Sequence, residues 1–448
     1  MKVNRVAIHR LRPLHCAVVG ALGLLLSVPA FAETEIETLR RELAEQKEII
    51  RQILAAQQAQ KDASAKVEAK VEAQAAAKAT SAAPASASTP PVTVYGVLDG
   101  GFERITNIKN ASGGTSSLTR MPNITGSIPS RVGVRASKEF APGYKAIATA
   151  EIGFNFDDGT LGQSNTTTTG ARIFGRQLFA GVDTPYGAFT FGRQYSMLMY
   201  ALGDADLLGP TIYSMGSLDA YLPNSRFDNS FAWKGTFSNV TLGATFSTGR
   251  DTTGGAPASG TCAGEVAGQG SQCRGWSAVA KYDDARFGVA AGLDEQRGGT
   301  GASAYFFNGA APMAFNRAQD FDRRTTVNAN LKLGAGKLGF GWMGREVSVL
   351  AGSFKSNIWF LDAAYRMNSK IFFDGGLYRI TNHDQNRDAT LVAVRSFYNL
   401  DKDFDAYLQL SHIANSSKAA YAVSVGAGVA PVAGGSQVGT MVGLRYRF

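Results

Sequence analysis

FTFGRQYSMLMYALGDADLLGPTIYSMGSLDAYLPNSRFDNS, residues 189–230, is the stretch on which the fold turns. Two short segments bracket it, GAFTFGRQ and NSRFDNSFAWK, in which apolar and polar residues alternate with the period of a half-buried strand. Between them the alternation stops. The insert carries acids at Asp204, Asp206 and Asp219 and apolar anchors at Met197, Leu198, Leu207, Leu208 and Ile212. Hairpins turn in about 2 to 5 residues, and connections beyond about 12 to 15 are usually functional or disordered. This one is too apolar to be a free tail. It is expected to pack against something, and the inside of a closed barrel would accept it.

Outward from that stretch the two-residue period recurs. It begins at VTVYGVLDGGFER from Val92 and ends at Gly439–Phe448, giving sixteen segments in all. Their connections alternate in length. Turns such as APG, TPYG, DD, GAG, MNS and DKD follow the even-numbered segments, whereas long Gly/Ser/Asn-rich loops follow most odd-numbered ones. An even count, long loops at one end and both termini at the short-turn end describe an outer-membrane β-barrel. Aromatic residues near the segment ends, among them Phe231, Trp233, Trp276, Tyr282, Trp359, Tyr446 and Phe448, suit interfacial girdles.

The residues before Val92 have another character. Lys2, Arg5, Arg10 and Arg12 precede an apolar run, Cys16–Pro29, and an Ala30-Phe31-Ala32 cleavage site, so residues 1–32 read as a signal peptide and the mature chain begins at Glu33. The run is shorter than the roughly 20 residues of a membrane-spanning anchor. Losing four cations lowers the formal charge from +9 to +5. In residues 33–78, Ile36, Leu39, Leu43, Gln46, Ile50, Ile53, Gln57, Gln60, Ser64, Val67 and Val71 keep steps of three and four, with two polar lapses, an a/d seam of a coiled coil; a single amphipathic helix would show a similar pattern. Dimer and trimer stay open. Residues 79–91, ATSAAPASASTPP, are a Pro/Ala/Ser linker, and residues 92–448 form the barrel.

Export leaves Cys262 and Cys273, in a Gly/Ser-rich segment and an oxidising compartment; a disulfide is expected, with free thiols the alternative. No further cysteine or histidine lies near them, so no metal site is expected, and no cofactor is implied. No nucleophile and base stand paired, which argues against an enzyme.

Alternation also assigns the lumen. In SRVGVRASK, Val132, Val134 and Ala136 meet lipid, which turns Arg131 and Arg135 inward; in NSRFDNSFAWK, Phe227, Phe231 and Trp233 meet lipid, which turns Arg226, Asp228 and Lys234 inward. An arginine on the lipid face at mid-depth costs about 2 to 4 kcal/mol. Arg176 shares the parity of Leu178, Ala180 and Val182, so only a bulge or a late strand start would re-aim it.

VTVYGVLDGG, SRVGVRASKEF, KAIATAEIGFNFDDGTLGQ, RIFGRQLFAGVDTPYGAFTFGRQY, NSRFDNSFAWK and VGLRYRF, in this order, resemble the trimeric general porins of Gram-negative bacteria, and among them the basic, anion-preferring branch. The resemblance implies a homotrimer of 16-stranded antiparallel barrels in outer-membrane lipid and lipopolysaccharide. It implies a third outer loop folded inward and a terminal Phe448 read by the barrel-assembly machinery. It also implies a constriction in which Arg131, Arg176 and Arg226 form a basic cluster near Glu151 and Asp204 or Asp206. Arg135, Arg172, Arg193, Lys145 and Lys234 are further lumen candidates. The expected function is passive diffusion of small hydrophilic solutes with a preference for anions, without nucleic acid as a partner. The arm at residues 33–78 departs from the family plan. Its expected place is the periplasm, with peptidoglycan or a periplasmic protein as candidate partner, and an envelope-tethering protein is the alternative reading of the whole chain.

Overall fold

The computed structural model describes residues 92–448 other than 124–125, 164–171, 220–221, 223–224, 250–261 and 263, together with Lys47 and Arg51. The expected signal peptide, coiled-coil seam and linker lie outside the described residues.

Its main sheet holds 18 hydrogen-bonded strands, of which Thr115–Arg120 and Leu161–Gly162 are additions from loops, leaving sixteen in the wall. We number these β1 (Val92–Lys109), β2 (Arg131–Ala141), β3 (Tyr144–Phe154), β4 (Gln177–Thr184), β5 (Gly187–Tyr195), β6 (Arg226–Phe237), β7 (Val240–Ser247) and β8 (Gly275–Asp283). They continue as β9 (Phe287–Arg297), β10 (Phe321–Leu333), β11 (Gly336–Val349), β12 (Gly352–Arg366), β13 (Ile371–Thr381), β14 (Ala389–Asp401), β15 (Phe404–Asn415) and β16 (Gln437–Arg447). Neighbours in sequence are antiparallel neighbours in space, as the hairpin connections dictate.

Closure comes from the two ends of the chain. β1 pairs with β16 from Val97↔Arg447 to Ile105↔Gly439, and Gly96 and Phe448 exchange backbone hydrogen bonds of 2.9 and 3.2 Å. The Phe448 ring lies over Gly96, where any Cβ would overlap it. A closed sheet leaves no unpaired edge, which is what lets strands rather than helices cross a bilayer. Among the described residues no helix is long and apolar enough to do so. Outward positions are apolar and exposed, as at Phe102, Phe191, Phe231, Trp359, Leu361, Val442 and Leu444.

The interior is not uniformly polar. The described residues between β5 and β6, 196–219, 222 and 225, fold inside the barrel and begin with a short helix, α1 (Met197–Leu202). Leu198, Leu202, Leu208, Ile212, Tyr213 and Met215 share a buried cluster with the inward residues Ile358, Phe360, Ile380 and Leu391 and with Tyr421 and Val423 of the last loop. The expected inward loop is therefore present, and burial of its apolar anchors is what holds it. Polar tethers add direction: Met197 N–H donates to Ser277 Oγ at 2.9 Å, Leu207 N–H to Asp362 Oδ2 at 2.8 Å and Thr211 Oγ1 to Gln409 Oε1 at 2.6 Å.

Two local departures from simple alternation matter. β4 begins at Gln177 rather than at Arg172, so Arg176 belongs to the preceding turn. In β6, Asn229 takes φ +45°, and the β5–β6 register gains one residue between Gly192↔Ser230 and Gln194↔Phe227. This bulge turns Phe227 away from lipid. The side chain is buried, against the expected lipid contact, with its ring over Gly275, whose Cβ would lie 2.7 Å from it.

Candidate functional site

The site forms where β1, β2, β3, β5, β6 and the turn before β4 bring their side chains together. Glu151, on the inward face of β3, is buried and is the hub. Tyr95 OH donates to its Oε2 at 2.8 Å, Arg176 Nε donates to its Oε1 at 2.6 Å, and Arg131 Nε lies 3.6 Å from Oε2. Arg176 also donates to Gln163 Oε1 and to Tyr195 OH. Arg226 closes the group from β6, with its guanidinium 4.9 Å from the Tyr195 ring centroid and Nη2 3.5 Å from its hydroxyl. Arg131, Arg176, Arg226 and Glu151 thus lie together. Arg176 arrives through the late strand start. Arg176 and Arg226 are buried, whereas 20% of the Arg131 side chain is exposed and meets the water of the lumen.

The loop acids stand elsewhere. Asp204 forms an ion pair with Lys281 of β8 and lies 3.8 Å from Lys337 Nζ of β11. Asp206 hydrogen-bonds with Asp362 of β12 and accepts from Tyr378 OH at 3.3 Å and Gly209 N–H at 3.2 Å. Neither touches the arginine group, contrary to the expectation, because the loop crosses the interior and delivers both acids to the opposite wall. Asp219 does meet arginines, but Arg324 of β10 at 3.1 Å and Arg345 of β11 at 3.8 Å.

The further lumen candidates divide. Arg172 and Arg193 both pair with Asp228, Arg172 at 2.8 Å, and Arg193 and Asp228 are buried, so they brace the wall beside the site. Arg135 is exposed with its guanidinium 4.0 Å from the Tyr95 ring centroid; Lys145 is exposed on β3. Lys234 places Nζ 3.6 Å from the Tyr200 ring centroid, on α1. Sequence reasoning passed over Tyr95, Tyr195 and Gln163, whose uncharged side chains carry no mark of an arginine partner. It also passed over Lys281, Lys332 and Lys337, which parity alone would have turned inward.

Charge is unevenly shared. Among the described residues, Arg131, Arg172, Arg176, Arg193 and Arg226 gather on this stretch of wall around the carboxylates of Glu151 and Asp228. Across the lumen, burial works against ionisation of Asp204, but the hydrogen bond from Lys281 and the charges of Lys281, Lys337 and Lys332 hold its carboxyl below the usual range. Burial instead pushes the Asp206 carboxyl up, against its hydrogen bonds and the charge of Arg395. Among the described residues no three His, Cys, Asp or Glu side chains converge as a metal centre requires. Cys262 and Cys273 are disulfide-bonded with Cα atoms 5.4 Å apart, and both are buried beside Phe306, Phe315, Val347 and Val349.

Comparison with known proteins agrees with this architecture. A family model described as Gram-negative porin matches residues 73–418. Among solved structures, the anion-selective porin from Comamonas acidovorans aligns over 80% of this chain and 100% of its own, with a TM-score of 0.64 and 20% identity. Outer-membrane expressed OmpT of Vibrio cholerae aligns over 81% and 99%, with a TM-score of 0.55 and 15% identity. The outer membrane channel DcaP of Acinetobacter baumannii aligns over 82% and 100%, with a TM-score of 0.52 and 12% identity. A comparison with curated protein sequences gives no match.

Proposed function

The chain belongs to the family of Gram-negative porins, outer-membrane channels for solute diffusion rather than enzymes, and we propose that this one is a water-filled pore that favours anions. The observation that carries the reading is the surplus, among the described residues, of guanidinium over carboxylate around Glu151 and Asp228. Fixed charge in a narrow channel with low-dielectric walls has its field focused on whatever ion passes, so an excess of one sign lowers the entry cost of counter-ions and raises that of co-ions. Guanidinium stays protonated over working pH, which keeps the bias constant. Arg131 and Arg135 supply it at the water surface, while Arg176 and Arg226 act from just behind. The likeness in fold to the anion-selective porin from Comamonas acidovorans points the same way.

The same reading makes the assembly a homotrimer, with Phe448 presented to the barrel-assembly machinery and the outer face in lipid and lipopolysaccharide. A trimer form exists for the structurally similar OmpT of Vibrio cholerae. Residues 33–78 then extend into the periplasm as a coiled-coil arm, available to peptidoglycan or a periplasmic protein. The test is the reversal potential of single channels of the mature protein in a potassium chloride gradient. A potential on the chloride side of zero is expected; one on the potassium side would overturn the anion reading.

A further inference from the structure

Beyond the arginine group, four lysines line the wall at the short-turn side of the inserted loop. Lys234 on β6, Lys281 on β8, Lys332 on β10 and Lys337 on β11 share the inward parity of their strands. Between 23% and 32% of the Lys281, Lys337 and Lys332 side chains is exposed, so lumen water and its solutes reach them. Lys332 and Lys337 stand directly opposite each other in the β10–β11 ladder, a placement in which like charges oppose pairing.

What offsets that repulsion is carboxylate. Lys332 lies 2.8 Å from Asp283 Oδ2 of the wall. Lys281 and Lys337 instead share Asp204, which the wall does not supply. Asp204 is borne on the inserted loop just past α1, is 38% exposed at its side chain, and lies between ammonium groups of two strands as the carboxylate of a bound solute would. The loop has other tethers: Leu207 N–H bonds to Asp362, the Leu208 carbonyl accepts from Arg395 at 3.4 Å, and the neighbouring apolar side chains are buried.

We propose that this lysine set is a binding step for oxyanions with two charged groups, in which one group takes the place of Asp204 between Lys281 and Lys337 and the other reaches Lys332. The inference rests on the anion-preferring reading and names the solute class: diphosphates and dicarboxylates. Chloride, with one charge and no second group to reach Lys332, gains less by displacing Asp204 and passes.

Single channels of the full mature chain carrying chloride current are titrated with sodium pyrophosphate and, in a separate arm, with sodium succinate. Both are expected to reduce the current saturably; the stronger of the two identifies phosphate or carboxylate as the better fit. Asp204→Asn removes the internal competitor and should lower the half-blocking concentration about threefold, while Lys281→Gln with Lys337→Gln should raise it about tenfold. Lys337→Gln alone keeps the Asp204–Lys281 pair and should raise it about threefold, which guards against a misfolded double variant. The reversal potential in potassium chloride is read on the same channels. A retained chloride preference with no block, or with block that the lysine variants leave unchanged, would overturn the binding step while leaving the pore reading intact.

Discussion

Arg176 donates from Nε to Glu151 Oε1 at 2.6 Å, and it does so from the turn before β4, one residue outside the strand whose parity would have sent it into lipid. Among the described residues, Glu151 is the carboxylate that pairs with both Arg131 and Arg176. Glu151→Gln should therefore move the reversal potential further toward chloride. It should also lower stability by about 3–5 kcal/mol, the usual cost of stripping the partner from a buried charge. A reversal potential shifted toward potassium would contradict the charge balance drawn for this wall.

How far the sequence was legible follows from which residues lipid constrains. Strand existence, loop-length asymmetry and the inward loop were readable because the bilayer enforces alternation on one face and punishes every error there. Near the ends of strands that constraint lapses. Arg176 and Phe227 are placed by a late start and by the Asn229 bulge, neither of which leaves a mark in composition. Inward positions under the loops lose their polarity too: Ile358, Phe360, Ile380 and Leu391 are buried inside while Trp359 and Leu361 face out, so both faces read apolar. The partners of Asp204 could not be read at all, since Lys281 is 77 residues away in sequence and adjacent only because the loop spans the interior.

Close approach of the loop to the wall depends on Gly339 of β11, where an added Cβ would overlap the Ala205 carbonyl oxygen. Gly339→Ala must displace the loop backbone, at about 1–3 kcal/mol, the usual range for overpacking, and should alter single-channel conductance. Gly336→Ala on the same strand is the control, because its Cβ would meet nothing closer than 3.6 Å. Equal conductance in the two variants would mean that the loop is not held at Gly339.

A pH dependence of the loop is expected at Asp206. It faces Asp362 and Tyr378 of the wall, the Gly209 N–H of its own loop and the charge of Arg395. Its carboxyl titrates above its ordinary value because it is buried, so the folded loop binds this proton more tightly than an undocked one does. That contribution is fully present below the ordinary carboxylate pKa and is lost as pH rises through the raised one. Current fluctuations from loop motion should increase with rising pH, and Asp206→Asn, neutral throughout, should flatten the dependence. Fluctuations that grow as pH falls instead would reverse the assignment.

The Cys262–Cys273 bridge closes a loop of sequence separation 11 and is buried with Phe306, Phe315, Val347 and Val349 at the loop end of the barrel. By the chain-entropy estimate it adds about 3 kcal/mol at most. Cys262→Ser with Cys273→Ser should therefore increase proteolysis within residues 248–274 while leaving barrel assembly intact. Failure of the variant to assemble would show that the bridge acts on the barrel itself.

Selectivity is the most direct consequence of where the charge lies. Arg131 meets the lumen, and Arg176 and Arg226 stand behind it around Tyr195 and Glu151. Arg297 and Arg317, by contrast, sit at the loop end, paired at 2.7 Å with Glu295 and at 2.6 Å with Asp320. Replacing Arg131, Arg176 and Arg226 together by Gln leaves Glu151 unopposed, so permeability should shift from anions toward cations, whereas Gln at both Arg297 and Arg317 should do much less. Because Arg176 and Arg226 are buried, Arg131→Gln alone serves as the variant least able to disturb folding, with a smaller shift in the same direction. Screening shortens to about 3 Å near 1 M salt, so the difference between wild type and variants should shrink as salt is raised. A triple variant that assembles and keeps the wild-type reversal potential at low salt would remove these arginines from the selectivity neck.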